Sequence, residues 1–281
     1  MELKDLIEKY TLPDSKFMDL YGIKIHYTDK GKGDVILLLH GVFSSLHTFN
    51  NWTNKLSENH RVIRVDLPGF GLTGPWTDNE YSINRYIEFI KEFMDKLDIN
   101  KFHIAGSSLG GWIAWEFAVA MEHRIDKMIL INSAGYINQG KYPWPFIIAK
   151  TPVLNQVFNF QLVPKFLARK ILKEVIYDHR LISDELANRY YNLAKRKGNL
   201  KAFKTIANLP FKQNTDALQN ISTPTLLLWG DNDAWISSKD VESFKNDLQN
   251  AKVIIYKEVG HIPMEEIPER SCKDALDFLL Q

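Results

Sequence analysis

Apolar residues along this chain follow two different periods. Short, nearly continuous runs occur at Asp34–Leu39, Arg61–Val65, 101–106, Ile125–Ile131, Thr225–Trp229 and Val253–Tyr256. Val35-Ile36-Leu37-Leu38-Leu39 is typical, and it is the pattern of a strand buried on both faces of a parallel sheet. Between the runs the spacing changes to that of amphipathic helices. Ile83, Tyr86, Ile87, Ile90, Phe93, Met94 and Leu97 recur at helical intervals behind Ser82, a residue suited to cap them. Phe49, Trp52 and Leu56 carry a shorter helical pattern. Ahead of these, Phe17–Leu20 and Ile23–Tyr27 form a hairpin joined at Tyr21-Gly22. Alternating strands and helices imply a mostly parallel central sheet with right-handed crossovers, an α/β class of fold.

The alternation stops after the sixth strand. From Gly135 to Gln213 the pattern is helical, interrupted at Pro143, Pro145, Pro152, Pro164 and Pro210, and strands resume at Thr225. The expected organisation is a core domain of residues 1–134 and 214–281 with a helical cap inserted at 135–213. A last amphipathic helix places Cys272, Ala275, Leu276, Leu279 and Leu280 on one face.

Charge separates the two parts. The chain has 281 residues and a formal net charge of +1, which gives no global signal for nucleic acid. Between Lys141 and Lys212, however, 14 Lys and Arg face four acids, while the remainder holds 21 bases and 30 acids. The same segment is rich in aromatic residues, so contact of a basic lid with anionic lipid or acidic substrates is one expectation. An ordinary lid with a solvated outer face is the other. The single cysteine, Cys272, excludes an internal disulfide framework and fits a reducing compartment. The first residues are charged and lack the apolar core of a signal peptide, so the expected location is cytoplasmic. The expected assembly is a monomer or homodimer.

The chemistry gathers at strand ends. Gly106-Ser107-Ser108-Leu109-Gly110 follows a strand and opens a helix, a turn that lifts the Ser108 hydroxyl clear of the sheet. Gly106 and Gly110 lack a Cβ, so the chain can pass close to itself there. A serine nucleophile needs a base and the base needs an orienting acid. Asp231 and Asp233 follow one late strand, and His261 follows the next. No pair of residues has convincing metal-ligand spacing and no phosphate-cradling loop occurs, so no cofactor and no metal are expected.

In these features the sequence resembles the α/β-hydrolase superfamily, specifically its cap-bearing branch of esterases, C–C bond hydrolases, epoxide hydrolases and dehalogenases. The resemblance covers essentially the whole chain. It rests on His40-Gly41, the Asp66-Leu67-Pro68-Gly69-Phe70-Gly71 loop, the Ser108 turn and the paired Asp233 and His261 loops. Epoxide hydrolases and dehalogenases carry aspartate at the elbow, so Ser108 argues against both. The resemblance implies a Ser108–His261–Asp233 triad, Asp233 being preferred to Asp231 because Gly230 to Asp233 matches the family's Gly-x-x-Asp. It also implies an oxyanion hole from the N–H groups of Leu109 and Val42, with Phe43 as the alternative donor. His40 would brace its loop. Val42, Phe43, Trp144, Phe146, Trp235 and Ile262 would wall the substrate pocket.

The activity expected is hydrolysis of a small carboxylic ester through a Ser108 acyl-enzyme. One alternative keeps the triad and cleaves a C–C bond in a meta-cleavage-type vinylogous diketone. Such relatives usually carry Asn before the serine, Met after it and Trp after the histidine, where this chain has Ser107, Leu109 and Ile262. Another alternative is a binding protein that holds a small ligand in the same lidded pocket without turnover.

Overall fold

A computed structural model describes residues 2–136, 142–209 and 214–281. Its centre is one sheet of eight strands in the order β1-β2-β4-β3-β5-β6-β7-β8. The strands are β1 (Ser15–Leu20), β2 (Ile23–Lys30), β3 (Val35–Leu39), β4 (Arg61–Val65), β5 (Phe102–Ser107), β6 (Ile125–Ile131), β7 (Thr225–Gly230) and β8 (Ala251–Tyr256). β1 pairs antiparallel with β2 and β2 antiparallel with β4, and every later pairing is parallel. The mostly parallel sheet read from the apolar runs is therefore present. Its middle strand, β3, has Ile36 to Leu39 wholly buried because β4 and β5 flank it and helices cover both faces.

The helices are α1 (Leu3–Tyr10), α2 (Asn50–Leu56), α3 (Ile83–Asp95), α4 (Leu109–Met121), α5 (Trp144–Lys150), α6 (Gln156–Asn159), α7 (Lys165–Val175), α8 (Asp184–Ala194), α9 (Asn199–Ala207), α10 (Lys239–Asp247), α11 (Pro263–Glu266) and α12 (Pro268–Leu279). Ser82 caps α3 as expected, its hydroxyl accepting the Arg85 N–H at 3.1 Å. α4 is buried on every side from Leu109 to Ala118, the behaviour of a helix apolar all round. It backs the sheet directly behind Ser108.

Three details depart from the sequence reading. α1 was not foreseen, since only Leu6 and Tyr10 of its eight residues are buried, against Leu72 and Leu193. In α12, Cys272, Ala275 and Leu279 are buried, but Leu280 is 63 % exposed. It is the C-cap, and Phe278 fills the buried place instead. β8 lies at the sheet edge, so Ile255 is exposed rather than enclosed.

Between β6 and β7 the described residues form α5 to α9 and no strand. Pro143 and Pro164 are the N-caps of α5 and α7, positions where a missing N–H costs no hydrogen bond. The expected boundary at 213 and the break at Pro210 lie outside the described residues. No helix among the described residues is long and apolar enough to cross a membrane.

Candidate active site

Ser108 stands at the end of β5 with φ 54° and ψ −114°, a conformation that L-residues rarely adopt. The surroundings over-determine it. Its N–H donates to the Ile131 carbonyl at 3.1 Å, and its own carbonyl accepts from Trp112 at 3.0 Å and Ala134 at 3.1 Å. The two glycines are required by close approach. A Cβ on Gly106 would lie 2.1 Å from the Gly110 carbonyl oxygen, and one on Gly110 would lie 2.3 Å from that of Leu39. The turn thus packs against both the preceding strand and its neighbour.

Asp233 and His261 come from the carboxyl ends of β7 and β8. His261 Nδ1 and Asp233 Oδ2 are 2.6 Å apart. Asp233 accepts three more hydrogen bonds, from Asn132 Nδ2 at 2.6 Å, Trp235 N at 2.7 Å and Ile236 N at 3.0 Å. A carboxylate so surrounded is fixed in one orientation toward the imidazole. Asp231 points elsewhere, accepting from Glu258 N at 2.8 Å on the surface. Of the two aspartates, Asp233 is the one that meets the histidine. Ser108 and His261 line the same cavity, and among the described residues no hydrogen bond joins their side chains. Catalytic hydrogen bonds are often long without substrate and tighten when the carbonyl arrives.

That cavity, about 20 Å³, is lined by Gly41, Val42, Phe43, Ser44, Trp235 and Ile262 together with Ser108 and His261. Gly41 has to be glycine there, because a Cβ would come within 2.9 Å of the Ser108 Cβ. The backbone N–H groups of Val42, Phe43 and Leu109 donate to no protein acceptor among the described residues. Leu109 is the first residue of α4, so its N–H sits at the positive end of the helix dipole. Phe43 adopts φ 59°, which turns the loop back at this point. The arrangement can receive an oxyanion.

A second cavity of about 160 Å³ also reaches Ser108, walled by Trp112, Ala134, Tyr136, Phe146, Trp235 and Asp240. Trp144 lines neither cavity. It walls a separate apolar one of about 50 Å³ enclosed by α5 to α8, which shares Phe43, Ile171 and Tyr190 with the first. The six pocket residues expected from sequence are thus spread over these three spaces.

His40 braces its loop as expected. Its Nδ1 contacts the Gly41 carbonyl at 2.7 Å and its Nε2 accepts the Leu67 N–H at 3.0 Å, so a neutral ring has both nitrogens engaged. Burial lowers its pKa, which favours that neutral form. Asp66 ties the same region together, accepting from Leu46 N, Leu72 N and His26 Nδ1, each at 2.7 Å. Burial opposes its charge, but the neighbouring His26, His40 and His47 together outweigh that and hold the carboxyl well below the usual carboxylate range.

Several residues escaped the sequence reading. Asn132, just past β6, bridges Asp233 and the Gly230 N–H at 3.3 Å. Glu266 accepts the N–H groups of Gly260 at 2.8 Å and Asp178 at 2.9 Å, and the Val175 carbonyl accepts the His261 N–H at 2.8 Å. The helical segment is therefore bonded directly to the histidine loop. Placement one residue beyond a parallel strand was the available signal for Asn132; Glu266 carried none. Among the described residues no three His, Cys, Asp or Glu side chains gather as metal ligands.

Asp240 yields a test of this electrostatic picture. Burial first, and then the Asp233 charge, push its carboxyl up to about 6 from the usual 3.8. The fold prefers the neutral acid, so stability falls as pH rises from near 4 through 6 and stays lower above. Asp240→Asn should raise the unfolding free energy from urea titration at pH 8, by on the order of 1 kcal/mol after solvent screening, and leave it unchanged at pH 4. An equal shift at both pH values would remove the electrostatic explanation.

The model of the α/β-hydrolase fold family matches residues 34–268. The chain is 26 % identical over 251 residues to 2-hydroxy-6-oxo-2,4-heptadienoate hydrolase of Pseudomonas putida, covering 85 % of this chain and 87 % of that one. Its structure resembles a meta-cleavage product hydrolase from Pseudomonas fluorescens, with a TM-score of 0.82 and 24 % identity over 94 % of this chain and 97 % of the other. It also resembles a bacterial membrane phospholipase A, with a TM-score of 0.78 and 24 % identity over 94 % and 85 % of the two chains. At that identity the two solved structures speak for the fold alone. The relative's name favours the C–C alternative over the ester expectation.

Proposed function

We propose, for a chain that belongs to the α/β-hydrolase fold family, that it hydrolyses a carbonyl substrate through a Ser108 acyl-enzyme and that the bond cleaved is a carboxylic ester. Ser108 Oγ attacks the carbonyl carbon and His261 Nε2 takes its proton. The oxygen that becomes negative is received by the N–H groups of Leu109 and Val42. Their alignment before reaction lowers the barrier, each such donor contributing ~3 kcal/mol. His261 then protonates the departing alcohol, and Asp233 holds the ring in the tautomer that allows both transfers. Water attacks the acyl-enzyme by the same route. The helical segment is a cap that shields these steps from bulk water.

The observation that carries the reading is the four-bond anchoring of Asp233 against His261, set beside unpaired N–H donors at Val42 and Leu109. Three observations favour an ester. Ser107, Leu109 and Ile262 stand where the C–C hydrolases of the family usually carry Asn, Met and Trp. Among the described residues lining the two cavities at Ser108, Lys150 is the one Lys or Arg side chain. Arg189, a partly buried cation of the cap, is already paired with Glu265. A dienoate carries a carboxylate that such walls would leave poorly compensated.

The second reading, cleavage of a C–C bond in a 2-hydroxy-6-oxo-dienoate, is better supported by the relative's name than the ester reading is. One experiment separates them. Purified protein is assayed on p-nitrophenyl esters from acetate to palmitate and, in parallel, on a 2-hydroxy-6-oxo-dienoate. Ester kcat/KM at least a hundredfold above dienoate kcat/KM is the expected result. The reverse ratio would establish the C–C reading, and turnover of neither substrate would overturn both.

A further inference from the structure

We infer that the stretch from Tyr142 to Lys173 is a docking face for an anionic lipid surface. Exposed apolar side chains are normal when scattered, but a concentration of them marks an interface. Here 14 large apolar side chains are exposed among the described residues, and seven of them lie between Tyr142 and Phe166. Val153 is 81 % exposed, Phe160 69 %, Leu162 67 % and Phe166 67 %, and Ile147 and Leu154 are each half exposed. None of these six walls a cavity at Ser108 or the apolar space inside the cap. They have no inward use.

The charges in this stretch are all of one sign. From Tyr142 to Lys173 the sequence contains Lys150, Lys165, Arg169, Lys170 and Lys173 and not one Asp or Glu. The spacing on α7 sorts the residues by face. Ala168, Leu172 and Val175 are buried, whereas Phe166, Lys170 and Lys173, at intervals of four and three, are exposed together. The Phe166 ring and the Lys173 side chain are therefore exposed on one side of a short helix, and the Lys170 ammonium beside them lies 5.0 Å from the centroid of the Trp144 ring. Arg169, on the flank, is paired with Asp184. α5 and α6 likewise fix Ala149 and Phe158 inward, leaving Ile147 and the Val153–Leu154 turn outward. Apolar side chains with Lys among them match the acyl boundary and phosphate layer of a membrane surface, the first by burial and the second by charge.

The placement gives the surface a use. Tyr142, Phe146 and Lys150, from the same stretch, wall the cavity beside Ser108. A lipid surface docked on the outer face would lie next to the entrance of the site, and the ester cleaved would come from that surface. This last step rests on the proposed ester chemistry, whereas the docking does not.

The test uses Ser108→Ala protein, so binding is read without turnover. It is sedimented with vesicles of phosphatidylglycerol and phosphatidylcholine mixed equally, and with phosphatidylcholine alone. Expected is binding to the mixed vesicles at least tenfold tighter than to phosphatidylcholine, weakened by raising salt from about 0.02 to about 0.5 M. Phe160→Asp/Phe166→Asp and Lys165→Glu/Lys173→Glu should each reduce it at least tenfold. In the Ser108 background these variants should leave p-nitrophenyl acetate hydrolysis unchanged, which also shows that they fold. Failure of the unaltered protein to sediment with mixed vesicles would overturn the proposal, as would binding indifferent to both variants. So would a dimer in light scattering that Phe160→Asp/Phe166→Asp dissolves while vesicle binding is absent, because the face would then belong to a second copy of the chain.

Discussion

Ser108→Ala should lower kcat on the best ester by about 10⁵-fold, the usual consequence of removing a nucleophile from a triad. The residue is well suited to a clean test. Its Oγ has no hydrogen-bond partner among the described residues, so truncation strands no donor or acceptor. The elbow is held by backbone bonds to Ile131, Trp112 and Ala134 that alanine keeps. Stability should stay within about 0.5 kcal/mol of the parent. Ser108→Gly sharpens the prediction. It should be just as inactive, yet more stable by about 1 kcal/mol, because glycine adopts φ 54° without strain. Active-site strain and catalytic loss would then be separated at one position. A Ser108→Ala protein retaining more than a hundredth of the activity would exclude the acyl-enzyme mechanism. The covalent capture of Ser108 by an organophosphorus probe, absent in the variant, is the matching positive result.

Asp233→Asn should reduce kcat by about 10³ to 10⁴ with a much smaller change in KM. The amide would present an NH₂ group to neighbours that all donate. His261 Nδ1, Asn132 Nδ2 and the N–H groups of Trp235 and Ile236 now point at the carboxylate. The Trp235 and Ile236 N–H groups on one oxygen are fixed by the backbone and keep the amide oxygen, so the NH₂ faces His261 and drives the imidazole toward the wrong tautomer. The same mismatch should cost about 1 to 3 kcal/mol of stability in a urea titration. Asp231→Asn is the internal control, since its carboxylate contacts the surface loop at Glu258. It should keep kcat within about twofold, the level of a surface substitution. Equal losses in the two variants would mean that the Asp233 contact positions nothing catalytic.

The strands were legible in the sequence because burial on both faces of a parallel sheet leaves little choice of residue. Ile36 to Leu39 and Leu226 to Trp229 are apolar at every position and lie fully enclosed. The elbow was legible for a related reason. A Cβ on Gly106 or Gly110 would lie 2.1 or 2.3 Å from a carbonyl oxygen, so only glycine fits and backbone geometry writes itself into residue type. α1 and Leu280 were less legible, because a short element with two buried positions leaves a weak periodic trace. Asn132 left only its place just past a parallel strand, and Glu266 left no signal. Their roles depend on hydrogen bonds to residues 101 and 88 positions away.

By itself the sequence determined the parallel sheet, the serine turn and the order in which serine, acid and histidine follow strand ends. Each of these is a local constraint, of burial or of backbone space, that acts on neighbouring residues. The tertiary structure alone decided that Asn132 anchors Asp233, that Trp144 lines a space apart from Ser108, and that the helical segment is bonded to the histidine loop through Val175 and Glu266. Those outcomes depend on distances between residues far apart in the chain, and side-chain periodicity carries no information about such distances.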